Sequence, residues 1–420
     1  MAINLKKYIT EIAQQAHMAE GFLQTLSSGK KNAALESMAE ALLKQKDFIL
    51  KANKKDLSLA KKEGLSRALI DRLILNDKRI NEMSESLLEI VKLADPVGEV
   101  IKAWRRPNGL WIHKVRVPIG VIAIIYESRP NVTSDCIGLC FKSGNCVILK
   151  GGSEALNSNL AIYQTLKNVI KKHGFPEGII QMAATTNRSA VDQLLKLNKY
   201  IDLVIPRGGE SLINRVVRSS GIPVIKHYKG ICHVYVDEWA DLKMAEDICY
   251  NAKVQRPGVC NAMEAMLVHK DVAARFLPSM IKRLRKGGVQ IRGCPVTAGI
   301  AKDVRRATEK DYHSEYLDLI LSVKVIGDLQ EAISHINFYG TGHSDSIVTD
   351  NYEHALTFLK QVDSACVYVN ASTRFTDGYQ FGLGAEIGIS TDKLHCRGPM
   401  ALEELTTYKY MIFGNGQIRT

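Results

Sequence analysis

The 420 residues are 46% hydrophobic and 24% charged, which excludes a disordered or fibrous chain and leaves room for two or three domains with their own cores. The formal net charge is +12, yet the cations stand singly or in pairs such as Lys30-Lys31, Lys54-Lys55, Lys61-Lys62 and Lys171-Lys172, the pattern of solvated helix faces. Nine cysteines, an odd number, with no CxxC pair and no zinc-ligand spacing, exclude a disulfide framework and point to a reducing compartment without structural metal.

The N-terminus carries Lys6, Lys7, Glu11 and Glu20, so it lacks the apolar core of a secretory signal. The longest uncharged apolar run, Val117 to Tyr126, is half of what a membrane span needs. A soluble cytoplasmic protein with no membrane partner is predicted. The first hundred residues read as helices, with Leu35, Met38, Leu42 and Ile49 on one amphipathic stripe. A hairpin is predicted over Ile101 to Pro118, turning at Asn108-Gly109. Its Trp104 and Trp111 suit a subunit contact better than a ligand.

From Gly120 the chain alternates strictly. Five short apolar strands (120–127, 146–150, 179–183, 203–206 and 223–227) are separated by four helical stretches, the pattern of a parallel, doubly wound sheet whose ligands bind beyond the strand C-termini. The alternation resumes with strands near 233–237, 265–269 and 289–292 and helices near 241–252 and 273–286, predicting a second α/β domain. The C-terminal run with Tyr408, Tyr410, Met411, Ile412 and Phe413 reads as a strand that needs a partner, either the Trp hairpin of the same chain or that of another subunit.

No dinucleotide fingerprint follows a strand. Gly382-Leu383-Gly384-Ala385-Glu386-Ile387-Gly388 comes near one, but its last glycine is a residue late, and a loop needing glycine dihedrals is the better reading. Two strand-to-helix turns suit phosphate better: Lys150-Gly151-Gly152-Ser153-Glu154 and Arg207-Gly208-Gly209-Glu210-Ser211. Each joins a cation, two glycines that permit close backbone approach, and a helix N-terminus with free N–H groups. Cys260 stands apart from the other eight cysteines. It follows Gln255-Arg256-Pro257-Gly258-Val259, where Pro and Gly pin the backbone, and Arg256, or a following helix N-terminus, would favour the thiolate. Cys136, Cys140, Cys146, Cys232, Cys249 and Cys366 sit in apolar periodic stretches and read as core. Cys294 and Cys396 read as loop residues.

These segments carry a resemblance. The run Val117-Pro118-Ile119-Gly120 through Tyr126-Glu127-Ser128-Arg129-Pro130-Asn131-Val132-Thr133, with Lys142-Ser143-Gly144-Asn145, the Lys150 turn, the Cys260 segment, Tyr368-Val369-Asn370-Ala371-Ser372-Thr373-Arg374-Phe375-Thr376-Asp377-Gly378 and Phe381 to Thr391, resembles the gamma-glutamyl phosphate reductase family, also called glutamate-5-semialdehyde dehydrogenases. It extends to Gly416-Gln417-Ile418-Arg419 and so covers essentially the whole chain, with no glutamate kinase domain preceding it.

The resemblance implies an α/β, aldehyde dehydrogenase-like fold: two doubly wound α/β domains plus a small β oligomerisation appendage. The expected division is a cofactor-binding domain over 1–227 with 101–118 as an oligomerisation flap, a catalytic domain over 228–395, and a C-terminal oligomerisation segment over 396–420. It further implies reduction of L-glutamyl 5-phosphate by NADPH to glutamate 5-semialdehyde and phosphate, the second step of proline biosynthesis, by a homo-oligomer coupled to a separate glutamate kinase. Cys260 takes the nucleophile's place, and its thiolate would displace phosphate to give a thioacyl enzyme. For the oxyanion, gap-free alignment puts Glu127 where hydrolytic relatives carry an asparagine; Asn131, the nearest asparagine, is assigned the role beside the Cys260 N–H.

Two departures from the hydrolytic relatives are informative. Their water-activating glutamate is replaced in Lys226-His227-Tyr228-Lys229-Gly230 by no carboxylate, which protects a thioacyl intermediate. His227 is a candidate for forming the thiolate or protonating an oxyanion. Where NAD-preferring relatives place a ribose-binding glutamate three residues after the adenosine-side lysine, this chain has Ser153, leaving room and charge beside Lys150 for a 2′-phosphate. Lys150, Gly152, Ser153, Gly208 and Gly209 are therefore the expected cofactor residues, with Glu315 on the nicotinamide ribose. Arg129, Arg256 and Arg374 are the expected substrate residues, suited to a carboxylate or phosphate. An NAD-linked hydrolytic dehydrogenase is disfavoured by the missing glutamate and by Ser153. A basic RNA-binding protein is disfavoured by the 7% aromatic content and the absence of a basic stripe.

Overall fold

Apolar residues at helical spacing make the first ninety residues helical, and the computed structural model, which describes residues 4–226 and 229–419, has five helices there: α1 (Leu5–Gln24), α2 (Ser28–Lys44), α3 (Lys46–Lys62), α4 (Arg67–Leu73) and α5 (Asp77–Lys92). Leu35, Met38 and Leu42 form the buried face of α2. Ile49 is equally buried but belongs to α3, because the chain leaves helical geometry at Gln45 (φ −100°, ψ 17°). The single predicted stripe is thus shared by two helices. Lys31 departs from the solvated-face pattern: it is fully buried, paired to Asp95 at 3.0 Å and donating to the Lys142 carbonyl.

The predicted hairpin forms from β1 (Val100–Arg105) and β2 (Trp111–Pro118). Gly109 adopts φ +92° in its turn, a conformation open to glycine at no steric cost. Next come β3 (Val121–Tyr126), α6 (Asn131–Lys142), β4 (Cys146–Gly151), α7 (Leu156–Lys172), β5 (Ile180–Met182), α8 (Ser189–Leu194), β6 (Leu203–Arg207) and α9 (Glu210–Ser219). The strands make a parallel sheet in the order β5-β4-β3-β6. Every residue of β3 and β4 is buried, as sheets covered on both faces require. Of the fifth strand predicted over 223–227, the described residues keep one bridge, Val204 to Val224. Pro223 has no N–H to extend the ladder.

The second parallel sheet has seven strands in the order β10-β9-β11-β8-β7-β12-β13. Its elements are β7 (Cys232–Val236), α10 (Leu242–Val254), β8 (Met263–His269), α11 (Lys270–Lys286), β9 (Gln290–Gly293), α12 (Pro295–Ile300), β10 (Arg305–Arg306), α13 (Glu309–Tyr312), β11 (Ile320–Ile326), α14 (Leu329–Tyr339), β12 (Ser344–Val348), α15 (Tyr352–Gln361) and β13 (Cys366–Val369). Two short strands, β14 (Gly388–Ser390) and β15 (Gly398–Met400), pair with each other. The C-terminal β16 (Thr406–Phe413) runs antiparallel to β2 of the same chain, with Phe413 opposite Trp111.

The chain forms two compact units. The first is Met1–Lys226, Gly382–Gly388 and Met400–Thr420; the second is His227–Phe381 and Ile389–Pro399. The division differs from the expected one in returning 382–388 and β16 to the first unit. Gly382 and Gly384 take φ +75° and +76°, so the near-fingerprint is a loop built on glycine dihedrals. Among the described residues no helix is long and apolar enough to cross a membrane.

Candidate active site

In the first unit the C-terminal ends of β3 and β4, with the starts of α8 and α9, line a cleft of about 370 Å³ that includes Glu127, Lys150, Gly152, Ser153, Glu154, Arg188 and Arg215. Lys150 is buried, and its Nζ donates to the Gly151 carbonyl at 2.7 Å. Burial lowers its pKa, while the charge of Glu154 raises it. A buried ammonium with three N–H donors and, among the described residues, no carboxylate bonded to it suits an anionic ligand group. Arg188 opens onto the same cleft from the turn before α8, is exposed, and has no ion pair among the described residues. The third cation of the cleft, Arg215, is paired with Asp192 at 2.7 Å.

Around this cleft the turns are tied to one another. Ser128, at φ +40°, donates from both its N–H (2.6 Å) and its Oγ (2.7 Å) to Glu154. The β3–α6 turn that carries Arg129 and Asn131 is thereby fastened to the β4–α7 turn that carries Gly152 and Ser153. The Gly208-Gly209 turn differs from expectation. The Gly209 N–H already donates to Glu127 Oε2 at 2.8 Å, so the N-terminus of α9 holds a carboxylate of its own chain. That position attracts any anion, and the sequence did not show which acid reaches it.

Asn131 is exposed at the start of α6 and donates to Asp135 at 3.2 Å. Burial pushes Asp135 up to about 6, opposed by hydrogen bonds from Ser86 and Asn131 and by Arg207. Because this value lies above the ordinary carboxylate range, the folded state holds the proton more tightly than the unfolded state. The contribution of Asp135 to stability should therefore be largest at low pH and be lost as pH rises from about 4 to about 6, by up to about 3 kcal/mol. Asp135→Asn should flatten that segment of the profile. Thermal melts of both proteins at pH 4.5 and 7 check this, and parallel profiles would contradict it.

In the second unit Cys260 lies half-buried between α10 and β8. The segment that follows is a strand, so no helix N-terminus assists the thiolate, and that part of the expectation is corrected. Cations remain. The Arg374 guanidinium donates to Asn261 Oδ1 and, at 2.9 Å, to Gln255 Oε1. Burial lowers the Arg374 pKa, and Arg256 lowers it further, whereas Asp377 and the thiols of Cys260 and Cys232 raise it. Asn261 rivets the Cys260 loop to the 373–376 segment: its Nδ2 donates to the Thr376 carbonyl at 2.7 Å, and its own carbonyl accepts from Thr373 Oγ1 at 2.7 Å.

Cys260 also rests on a floor. The Cys232 Sγ donates to the Cys260 carbonyl at 3.2 Å, and a Cβ built on Gly230 would stand 1.8 Å from that oxygen. The Gly230 N–H donates to Glu315 Oε1 at 2.9 Å.

The structure thus brings Cys260, Arg256 and Arg374 together in one unit with Glu315, while Lys150, Gly152, Ser153, Gly208, Gly209, Arg129 and Asn131 belong to the other. His227 lies outside the described residues. Cys366, read as core, is half-buried, and Cys294, read as a loop residue, is buried. Sequence reasoning missed Arg188, Gly230, Cys232 and Asn261. Asn261 adjoins the nucleophile and was within reach of inference; the other three act through contacts with residues remote in sequence.

The chain resembles known proteins over nearly its whole length. The sequence model of the aldehyde dehydrogenase family matches residues 4–295 and 287–409. The chain is 59% identical over 407 residues to the gamma-glutamyl phosphate reductase of Caldanaerobacter subterraneus subsp. tengcongensis, covering 97% of this chain and 98% of that one. It is 55% identical over 417 residues to the enzyme of that name from Thermodesulfovibrio yellowstonii, covering 99% and 100%. The crystal structure of gamma-glutamyl phosphate reductase from Thermotoga maritima superposes with a TM-score of 0.96 at 50% identity, covering 98% of this chain and 100% of that one. An acetylating aldehyde dehydrogenase from Geobacillus thermoglucosidasius shares the fold, with a TM-score of 0.69 at 17% identity, covering 100% and 99%. The chain belongs to the aldehyde dehydrogenase family and, within it, to the gamma-glutamyl phosphate reductases, oxidoreductases that act on an aldehyde.

Proposed function

We propose that the chain reduces L-glutamyl 5-phosphate to L-glutamate 5-semialdehyde and phosphate with NADPH, through a thioacyl intermediate on Cys260, as the second step of proline biosynthesis. The observation that carries this reading is the pair of guanidinium groups, Arg256 and Arg374, in the loops that carry and anchor Cys260. Two such cations favour a thiolate and suit the dianionic leaving group of an acyl phosphate.

The Cys260 thiolate attacks the acyl carbon, and the carbon–oxygen bond to phosphate breaks, leaving a thioester and free phosphate. The Cys260 N–H is the proposed donor to the oxyanion, and Asn131 is carried over from the family resemblance as the second candidate. When bound, NADPH would supply a hydride to the thioester carbon. Collapse of the resulting alkoxide breaks the carbon–sulfur bond, releases the aldehyde and returns Cys260 as the thiolate; His227 is proposed to take the proton of the Cys260 thiol before the attack. Lys150, Gly152, Ser153 and Arg188 are proposed to hold the adenosine end of the cofactor and Glu315 its nicotinamide ribose. Arg129 completes the proposed substrate set.

The test runs the reaction in reverse. Oxidation of glutamate 5-semialdehyde with NADP⁺ should need phosphate, because phosphate is what cleaves the thioester when no base activates water. Omitting phosphate should lower the rate at least ~100-fold; an undiminished rate would instead assign a hydrolytic dehydrogenase. Cofactor preference is checked by fluorescence titration. Arg188→Ala should weaken NADPH binding about 10-fold, the worth of a charge-assisted contact, and leave NADH within twofold. Equal loss for both cofactors would remove Arg188 from the 2′-phosphate.

A second copy of the chain is proposed to cover β16, where Tyr410, Ile412 and Phe413 are each more than half exposed. The reactive acyl phosphate is proposed to come from a separate glutamate kinase.

A further inference from the structure

Two buried charges behind the nucleophile have no part in the reaction above. Lys253, in the last turn of α10, and Glu264, the second residue of β8, are at most 1% exposed and paired at 2.6 Å. Burial pushes Glu264 up to about 7, against the opposing charge of Lys253. A buried pair of this kind is weak evidence for stability, since an apolar pair of similar volume often does as well. Its second carboxylate oxygen has a specific partner: Glu264 Oε1 accepts the Leu317 N–H at 3.1 Å.

Leu317 has φ +52°, the left-handed conformation that a leucine adopts at a cost. It closes the turn Glu315-Tyr316-Leu317, in which each residue is held. Tyr316 OH donates to Asp311 at 3.1 Å and meets Ser322 Oγ at 2.8 Å, and the Arg292 guanidinium lies 4.8 Å from the centre of its ring. Glu315 takes the Gly230 N–H, and Gly230 packs on the carbonyl of Cys260.

We propose that Glu264, anchored by Lys253, is a positioning residue for Cys260: it holds Leu317 in its left-handed turn and, through the Glu315–Gly230 contact, fixes the backbone of the nucleophile. This rests on the reading of Cys260 as nucleophile. Neither Lys253 nor Glu264 would touch substrate.

Two double variants of the full chain separate positioning from burial. Lys253→Met with Glu264→Gln and Lys253→Met with Glu264→Leu both remove both charges, so neither leaves a lone buried ion. Only the Gln variant keeps an acceptor for the Leu317 N–H. The readouts are kcat and KM, and the rate of Cys260 alkylation by iodoacetamide as a function of pH. The Leu variant should lose at least ~10-fold in kcat with KM within about threefold, since small misplacements of a reacting group are costly. Its alkylation midpoint should move, and the Gln variant should stay near wild type on both measures. Identical behaviour of the two would overturn the proposal.

Leu317, 43% exposed, provides an arm that spares the core. Leu317→Val, β-branched and poorly suited to φ above zero, should reproduce the loss, and Leu317→Gly should not. A Leu317→Val variant unchanged from wild type would equally overturn it. Activity surviving in Cys260→Ala would instead overturn the nucleophile reading itself.

Discussion

Cys260→Ala is expected to abolish phosphate-dependent oxidation of glutamate 5-semialdehyde, lowering kcat at least ~10⁴-fold, the scale seen when a covalent nucleophile is removed. Five of the other described cysteines are poorly suited to replace it. Cys232 is its near neighbour, but burial pushes that thiol well above its ordinary range and its Sγ is engaged with the Cys260 carbonyl. Cys136, Cys140, Cys146 and Cys249 are buried, and burial raises each of their pKa values. NADPH affinity should stay within about twofold, because the cleft that carries Lys150 and Arg188 is built from the other unit. The decisive measurement is mass spectrometry of enzyme quenched during turnover. A thioacyl adduct should map to the Cys260 peptide of the wild type and be absent from the variant. Turnover in the variant would show that chemistry proceeds without the thiol.

Gly230→Ala is expected to lower kcat at least ~100-fold while the protein stays folded. The reason is steric. The added methyl would lie 1.8 Å from the Cys260 carbonyl oxygen, 2.5 Å from its carbonyl carbon and 2.6 Å from its Cα. These are backbone atoms of the nucleophile itself, so no flexible side chain can yield, and either the nucleophile loop or the 229–232 segment must move. Movement of either disturbs the Glu315 contact at the Gly230 N–H and the Cys232 contact at the Cys260 carbonyl. Circular dichroism and a melting curve would establish that the fold survives. Activity within threefold of wild type would show that the close approach of Gly230 is not required.

Much of this architecture is legible in the linear chain. The apolar runs Val121 to Tyr126 and Cys146 to Leu149, each ended by a turn, become the buried central strands of the first sheet. Asn108-Gly109 marks the hairpin turn, and Pro257-Gly258 marks the turn before Cys260. These features follow from periods of two or 3.6 residues and from the dihedral freedom of single residues, both of which are local properties. The break at Gln45 is not local in this sense. Neither is the loss of the strand at 223–227, where Pro223 meets Val204 only once the sheet order is set.

The sequence by itself determined the two α/β cores, the hairpin and the Lys150 turn, and it singled out Cys260, because burial and turn chemistry are written in neighbouring residues. Only the tertiary structure decided that Glu127 takes the N-terminus of α9, that Arg188 faces Lys150 across a cleft, and that Gly230, Cys232, Glu315 and Glu264 converge behind Cys260. Those contacts depend on β7 and β11 flanking β8 in the second sheet. Strand order brings together residues tens of positions apart, and no periodicity within any one segment encodes it.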